Sequence, residues 1–118
     1  MMKSFNVRRE NRMTDFSQIR KFCDGLVRKY RPERVILFGS YANGRPGADS
    51  DVDLLVIMPH EGSDALKAAE IVGSLNPRFA VDLLVRTAEQ VQRRVALNDF
   101  FLRSVLSDGK VLYEASDA

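Results

Sequence analysis

Three aspartates carry the most distinctive chemistry in this chain. Residues 50–56 read SDVDLLV, so Asp51 and Asp53 stand two apart at the start of an apolar run, and Asp82 interrupts a second one, Ala80-Val-Asp-Leu-Leu-Val85. In a β-strand, residues two apart leave the same face with α-carbons ~6.6 Å apart. Carboxylates placed so repel unless cations sit between them, and a charge inside an apolar strand needs a partner or a metal. Residues 54–81 are long enough for a helical crossover that would set the third strand beside the second and bring Asp82 toward the other two. Three carboxylates would then bind two hard cations ~3.5–4 Å apart, which can clamp the attacking and leaving oxygens of an in-line phosphoryl or nucleotidyl displacement. Magnesium suits such oxygen ligands. The plain alternative for Asp82 alone is an edge-strand aspartate facing water.

Upstream, the strand Val35-Ile-Leu-Phe38 breaks into Gly39-Ser40. Gly39 lets backbone approach a ligand closely, Ser40 offers a hydroxyl and an amide, and the amino end of a short helix would follow, all suited to a polyphosphate. Other glycine and acidic motifs fail on their own terms. Gly39 to Gly44 has the G-x-x-x-x-G spacing, but Arg45-Pro46 stands where a nucleotide-binding loop of that class needs Lys-Ser/Thr. Gly39, Gly44 and Gly47 do not make a dinucleotide fingerprint. A calcium loop through Asp49, Asp51 and Asp53 would need Gly at 54 and Glu at 60, where Leu54 and His60 stand.

The elements that must position these residues are readable from periodicity. Phe16, Ile19, Cys23, Leu26, Val27 and Tyr30 recur at helical spacing, with Thr14 expected as N-cap and Pro32 beyond the end. Strands are expected over residues 34–38, 51–58 and 79–85, and a short last one over 110–113. Ser63 is expected to cap a helix carrying Leu66, Ala69, Val72 and Leu75, which Asn76-Pro77 ends. Thr87 with Gln90 fits a capping box for a helix through Val91 and Val95. Asn98-Asp99 restarts the chain into a helix from Phe100 to Leu106, and Gly109 is its natural stop. Strands separated by helices imply an α/β sandwich, a sheet of three or four strands covered by helices.

Composition narrows the class. A chain of 118 residues, 45% hydrophobic and 29% charged, makes one domain. We expect a flexible basic arm over residues 1–13, the domain over 14–114 and a tail over 115–118. No apolar run approaches the ~20 residues of a membrane span, and the amino terminus lacks the apolar core of a signal peptide, so cytoplasm is the expected location. Cys23, the single cysteine, falls among the apolar helix positions as a small buried hydrophobe, and His60 alone makes no zinc constellation. The net charge of +2 divides into +6 over residues 1–34 and −4 over the remainder. Basic residues on a solvated helix face account for that, and nucleic-acid binding is not indicated.

Taken together, Gly39-Ser40, then Ser50-Asp51-Val52-Asp53-Leu54, then Asp82 on a later strand resemble the polymerase-beta-type nucleotidyltransferase superfamily, in particular its minimal prokaryotic members. The similarity runs over about residues 15 to 114, including an ending, Asn98 to Tyr113, similar to the helix and short last strand of these small proteins. It implies a polymerase-beta-like α/β (α+β) fold and transfer of a nucleoside monophosphate from ATP or another NTP with two magnesium ions, for which manganese could substitute. Asp51 and Asp53 would be metal ligands, and Asp82 would bind one metal and take the acceptor proton. The turn of the family reads G-S-x-A-R-G, and this chain has Asn43 where the arginine belongs; either Arg45, two residues on, replaces it, or the arginine of the family has a structural role only. Gly39, Ser40, Asn43 and Arg45 are thus the expected phosphate-binding set.

The resemblance also implies a partner, a small all-helical protein of the HEPN ribonuclease class that such domains neutralise as antitoxins. Three readings follow. The first is an enzyme that transfers AMP to a hydroxyl on that partner. The second is a binding-only antitoxin whose altered turn has lost catalysis. The third is transfer to a small molecule or an RNA end.

Overall fold

The structure is a computed structural model and describes residues 14–116; the expected basic arm and the last two residues of the expected tail lie outside the described residues. Its elements in chain order are α1 (Phe16–Tyr30), β1 (Arg34–Phe38), α2 (Ser40–Asn43), β2 (Val52–Ile57), α3 (Asp64–Leu75), β3 (Val81–Arg86), α4 (Ala88–Ala96), α5 (Phe100–Asp108) and β4 (Lys110–Glu114). The strands form one sheet in the order β3-β2-β1-β4. Strands β1 and β2 are antiparallel, as are β1 and β4, whereas β2 and β3 are parallel with α3 as the crossover between them. The expected crossover and four-stranded sheet are therefore present.

Strand alternation sorts the core into two layers. Val35 and Leu37, Leu54 and Val56, and Leu83 and Val85 face α1 and α3, where they meet Ile19, Phe22, Cys23, Leu26 and Ile71. Ile36, Leu55 and Ile57 face the other way and meet Val91 of α4 and Leu102 and Val105 of α5. Because both faces are covered, β2 reads as a continuous apolar run, and Asp53 is its one residue that is not buried. Among the described residues no polar or charged residue is buried as a whole, although the His60 side chain is. None of their helices is long and apolar enough to cross a membrane.

The caps follow local chemistry, with one shift from expectation. Asp15, not Thr14, caps α1: its Oδ1 accepts from the Ser17 and Gln18 amides at 3.0 and 3.3 Å, and Gln18 Oε1 accepts from the Asp15 amide at 3.1 Å. Both residue types can cap, but a glutamine stands three residues after Asp15 and a serine three after Thr14. The reciprocal box therefore forms one residue later. Ser63, Thr87 and Asp99 cap α3, α4 and α5 through bonds to Leu66, Gln90 and Leu102. Asn76 ends α3 in the left-handed region. The third strand begins at Val81 rather than Phe79, so Asp82 lies near its start and not at its middle.

Gly109 ends α5 for a different reason from the one its type suggests. Its φ is −74°, which any residue adopts. What requires glycine is space, because a Cβ there would lie 2.5 Å from the Val105 carbonyl oxygen, 2.6 Å from Ile36 Cγ2 and 2.9 Å from the Leu37 carbonyl oxygen. The chain thus leaves α5 pressed against β1 before it pairs as β4. Gly109→Ala should lower stability by about 1–3 kcal/mol through overpacking, read as a lower midpoint in urea with an unchanged slope. A midpoint within error of the unchanged protein would show that the α5–β1 junction gives way freely.

Candidate active site

The register across the three central strands assembles the site. Phe38 of β1 pairs with Asp53 of β2, and Asp53 pairs with Asp82 of β3. Two successive pairs on β2 and β3 that share this face are Leu55 with Leu84 and Ile57 with Arg86. The sheet face toward α4 and α5 therefore begins, at the amino ends of β2 and β3, with two adjacent carboxylates. Asp51 precedes β2 and is exposed, as is Asp82. A turn holds it there: the Gly47 amide donates to Ser50 Oγ at 2.8 Å, and the Ser50 amide to the Gly47 carbonyl at 3.2 Å. The Val52 amide then bonds the Ala80 carbonyl at 2.9 Å, starting the parallel pairing.

The opposite wall is the Gly39-Ser40 turn. Gly39 has φ 76° and ψ −155°, a conformation essentially restricted to glycine. A Cβ at Gly39 would fall on Asp53 Oδ2. The group that comes close to this backbone is thus the Asp53 carboxylate, where the sequence predicts a ligand. The Gly39 carbonyl accepts from the Ala42 and Asn43 amides, both at 3.1 Å, and no side chain caps α2. The amides of Ser40 and Tyr41 open the helix, where intrahelical partners do not exist. Asn43 and Arg45 are exposed at the other end of α2, where the Arg45 amide donates to the Ser40 carbonyl at 3.0 Å. Among the described residues neither side chain pairs with the three aspartates. Gly39, Asp53 and Asp82, with Asp51 beside them, are brought together, and Asn43 and Arg45 are not joined to them.

Electrostatics mark the same cluster. Burial, the largest cause, and repulsion from Asp82 and then Asp51 hold the Asp53 carboxyl above its ordinary value. No hydrogen bond to its side chain offsets that among the described residues. The three side chains do not form a closed cage: among the described residues no three His, Cys, Asp or Glu groups gather as a preformed metal site. The donor set nevertheless fits a hard divalent cation, being oxygen only, partly exposed and mutually repelling. Sequence reasoning missed three supports of the site. One is Phe38, whose ring meets Phe101 edge-on at 5.5 Å between centroids. Another is Tyr41, whose hydroxyl accepts from the Thr14 amide at 2.9 Å. The third is the Ser50 turn. Only Ser50 left a signal, as a turn-forming residue three positions after Gly47.

Comparison with known proteins bears on this geometry. A family profile described as nucleotidyltransferase domain matches residues 18–112. A protein of Methanocaldococcus jannaschii, named as a candidate protein adenylyltransferase, is 31% identical over 105 residues, covering 86% of this chain and 100% of the relative. The crystal structure of a candidate nucleotidyltransferase from Sulfolobus solfataricus superimposes with TM-score 0.58 at 18% identity, covering 97% of this chain and 90% of the other. That likeness concerns the fold, a mixed α/β arrangement of the polymerase-beta-like kind.

Two expectations follow for the cluster itself. Native Asp53 keeps its proton to higher pH than the unfolded chain does, so above 3.8 the native state binds more protons, and this group's contribution to stability falls as pH rises through that window. Without divalent ions, Asp53→Asn should therefore melt higher than the unchanged protein at pH 7, with the gap narrowing as pH is lowered toward 4. An equal or lower melting temperature at pH 7 would contradict the repulsion. Gly39→Ala should cost about 1–3 kcal/mol from backbone strain and, by displacing Asp53, lower magnesium-dependent ATP affinity. Gly44→Ala is the control, since Gly44 also has positive φ, 75°, but open space at its Cβ. Equal ATP affinity in the two variants would remove the positioning role of Gly39.

Proposed function

The chain belongs to the nucleotidyltransferase domain family, and on that premise we propose that it transfers a nucleoside monophosphate, AMP from ATP, to a hydroxyl on a protein partner. The observation that carries this reading is the in-register pair Asp53–Asp82, with Asp51 beside it and the Gly39-Ser40 turn against it. Protein as the acceptor class is supported by the name of the Methanocaldococcus jannaschii relative. The partner in this reading is a small helical protein of the HEPN class, which the chain neutralises as an antitoxin.

Each residue has a task that its position suits. Asp51 and Asp53 would hold magnesium, two ions in the full site, with Asp82 as a further ligand; bound there, they would supply charge neutralisation for the phosphates. Ser40 presents its hydroxyl and the first amides of α2 toward anionic oxygens, and Gly39 keeps Asp53 seated. Asp82, exposed on the edge strand, has an accessible carboxylate oxygen to accept the proton of the attacking hydroxyl. Asn43 and Arg45, at the far end of α2, are the outer phosphate contacts, with Arg45 supplying the positive charge.

Loss of a positioned base typically lowers rate by 10²–10⁴-fold. In incubations with magnesium, α-labelled ATP and the helical acceptor, Asp82→Asn should reduce label transfer by about that factor while the two proteins still co-purify. Should the unchanged protein neutralise its acceptor without adding mass to it, and Asp82→Asn do so equally well, a binding-only antitoxin would replace the enzyme reading.

A further inference from the structure

Beyond the carboxylates, the same sheet face continues into a cavity of about 330 Å³. Its floor is Leu55 and Leu84, the register pair that follows Asp53 and Asp82 on that face, ~6.6 Å along the strands. Arg86 closes the far end, Arg93 and Arg94 of α4 form one wall, and Phe101 of α5 forms another. At this size it takes one or two side chains. From the Phe101 wall, itself 50% exposed, the α4–α5 corner continues outward with further large apolar groups, Leu97 at 69% and Phe100 at 83%. Phe100 also borders a more open concavity of about 650 Å³ with Arg103 and Leu106. Exposed apolar groups contiguous with a cavity mark an interaction surface.

The position of this surface says which reactant it serves. In-line displacement puts the attacking and leaving oxygens on opposite sides of the reacting phosphorus. Gly39 follows Phe38, which is opposite Asp53, and β1 runs antiparallel to β2. From the carboxylate pair the turn therefore lies toward β1 and toward the amino end of β2. The cavity lies the other way on both axes, toward β3 and the carboxyl end of β2. If the polyphosphate leaves along the turn, the acceptor arrives over the cavity.

Charge then selects the kind of acceptor. Arg94 Nε is held by Asp99 Oδ2 at 3.1 Å, and Arg86 Nη1 lies 3.6 Å from Asp64 Oδ2. Arg93 and Arg103 have no carboxylate within ion-pair distance among the described residues; Arg103 donates to Asn98 Oδ1 at 2.9 Å. Two unneutralised cations astride an apolar patch suit a hydrophobic segment with acidic residues beside it. A polyanion would call for a denser row of free cations and little exposed aliphatic surface such as Leu97.

We propose that the Leu55–Leu84 cavity and the Leu97–Phe100–Phe101 corner form the acceptor-docking surface, and that it takes an aromatic or aliphatic segment of the partner protein flanked by acidic residues. This rests on the nucleotidyl-transfer reading for its role, but its binding can be measured without chemistry. The probes are a fluorescent synthetic peptide with phenylalanine and tyrosine between glutamates, its counterpart with lysines for glutamates, and a single-stranded RNA of similar length.

Anisotropy with the full chain should show the acidic peptide binding at least about tenfold tighter than either competitor. Arg93→Glu should weaken the acidic peptide about tenfold and Phe100→Ser should weaken both peptides. A non-hydrolysable ATP analogue with magnesium should bind with the same affinity whether or not the peptide is present, and both variants should keep that affinity. Equal binding of the two peptides, no binding, or indifference to Arg93→Glu would overturn the proposal. Tighter binding of RNA would assign the surface to nucleic acid, and competition between peptide and analogue would assign the cavity to the nucleotide. Failure of the underlying reading shows separately, as unchanged magnesium-dependent analogue affinity in Asp51→Asn.

Discussion

Everything at the candidate site depends on the register of β2 with its two neighbours. Because side chains alternate with a period of two, a one-residue slip would turn Asp53 into the α1–α3 core and Leu54 into the site. The slip is opposed from both sides. On one face Leu54 and Val56 are enclosed by the first core layer, on the other Leu55 and Ile57 by the second, and all four are buried. Exchanging the faces would also bury a carboxylate without a partner, a cost of several kcal/mol or a forced protonation. The double coverage of β2 is thus what allows one partly exposed acid to be held exactly opposite Phe38 and Asp82.

Much of this was legible in the sequence because it depends on local patterns. The apolar run from Val52 and the crossover-length interval before Asp82 point to the parallel β2–β3 pairing that sets Asp53 beside Asp82, whereas Asp51, expected within the strand, precedes it. The caps at Ser63 and Thr87 were legible for the same reason, since each side chain reaches its own first helical turn, while the restart at Asn98-Asp99 was legible without its cap. What was not legible depends on approach distances between elements. Gly39 and Gly109 both look like conformational glycines, yet Gly109 adopts an ordinary φ and is selected by the closeness of Ile36 and Leu37, and Gly39 is needed both for its φ and for the Asp53 carboxylate seated on it. The cap at Asp15 rather than Thr14 turned on which residue had glutamine three positions later. The Leu55–Leu84 cavity left no motif, because α4 and α5 meet over it from different parts of the chain.

The fold also sets a fully partnered carboxylate at one end of the sheet against an unpartnered one at the other. At the carboxyl ends of β2 and β3, Asp64 is provided for on every side. Its Oδ1 lies 2.7 Å from His60 Nε2, and its Oδ2 accepts from Gln90 Nε2 at 3.1 Å with Arg86 Nη1 at 3.6 Å. These contacts join the loop after β2 to the end of β3 and the start of α4, so they pin the register from the end far from the site. At the amino ends the opposite holds. Asp53 has no hydrogen-bond partner among the described residues and two like charges as neighbours.

Buried or half-buried acids in a fold normally find donors, because leaving one without them is costly. The fold that supplies three partners to Asp64 supplies none to Asp53 among the described residues. Instead the residues around Asp53 are a glycine in a conformation few others adopt, a serine, an aromatic ring and two more aspartates. Repulsion left in place at one end of a sheet whose other end is fully compensated supports the cation proposed for that site. The clamp at Asp64 is then what lets the domain carry that unfavourable end, since it secures the β2–β3 pairing that the carboxylates themselves work against.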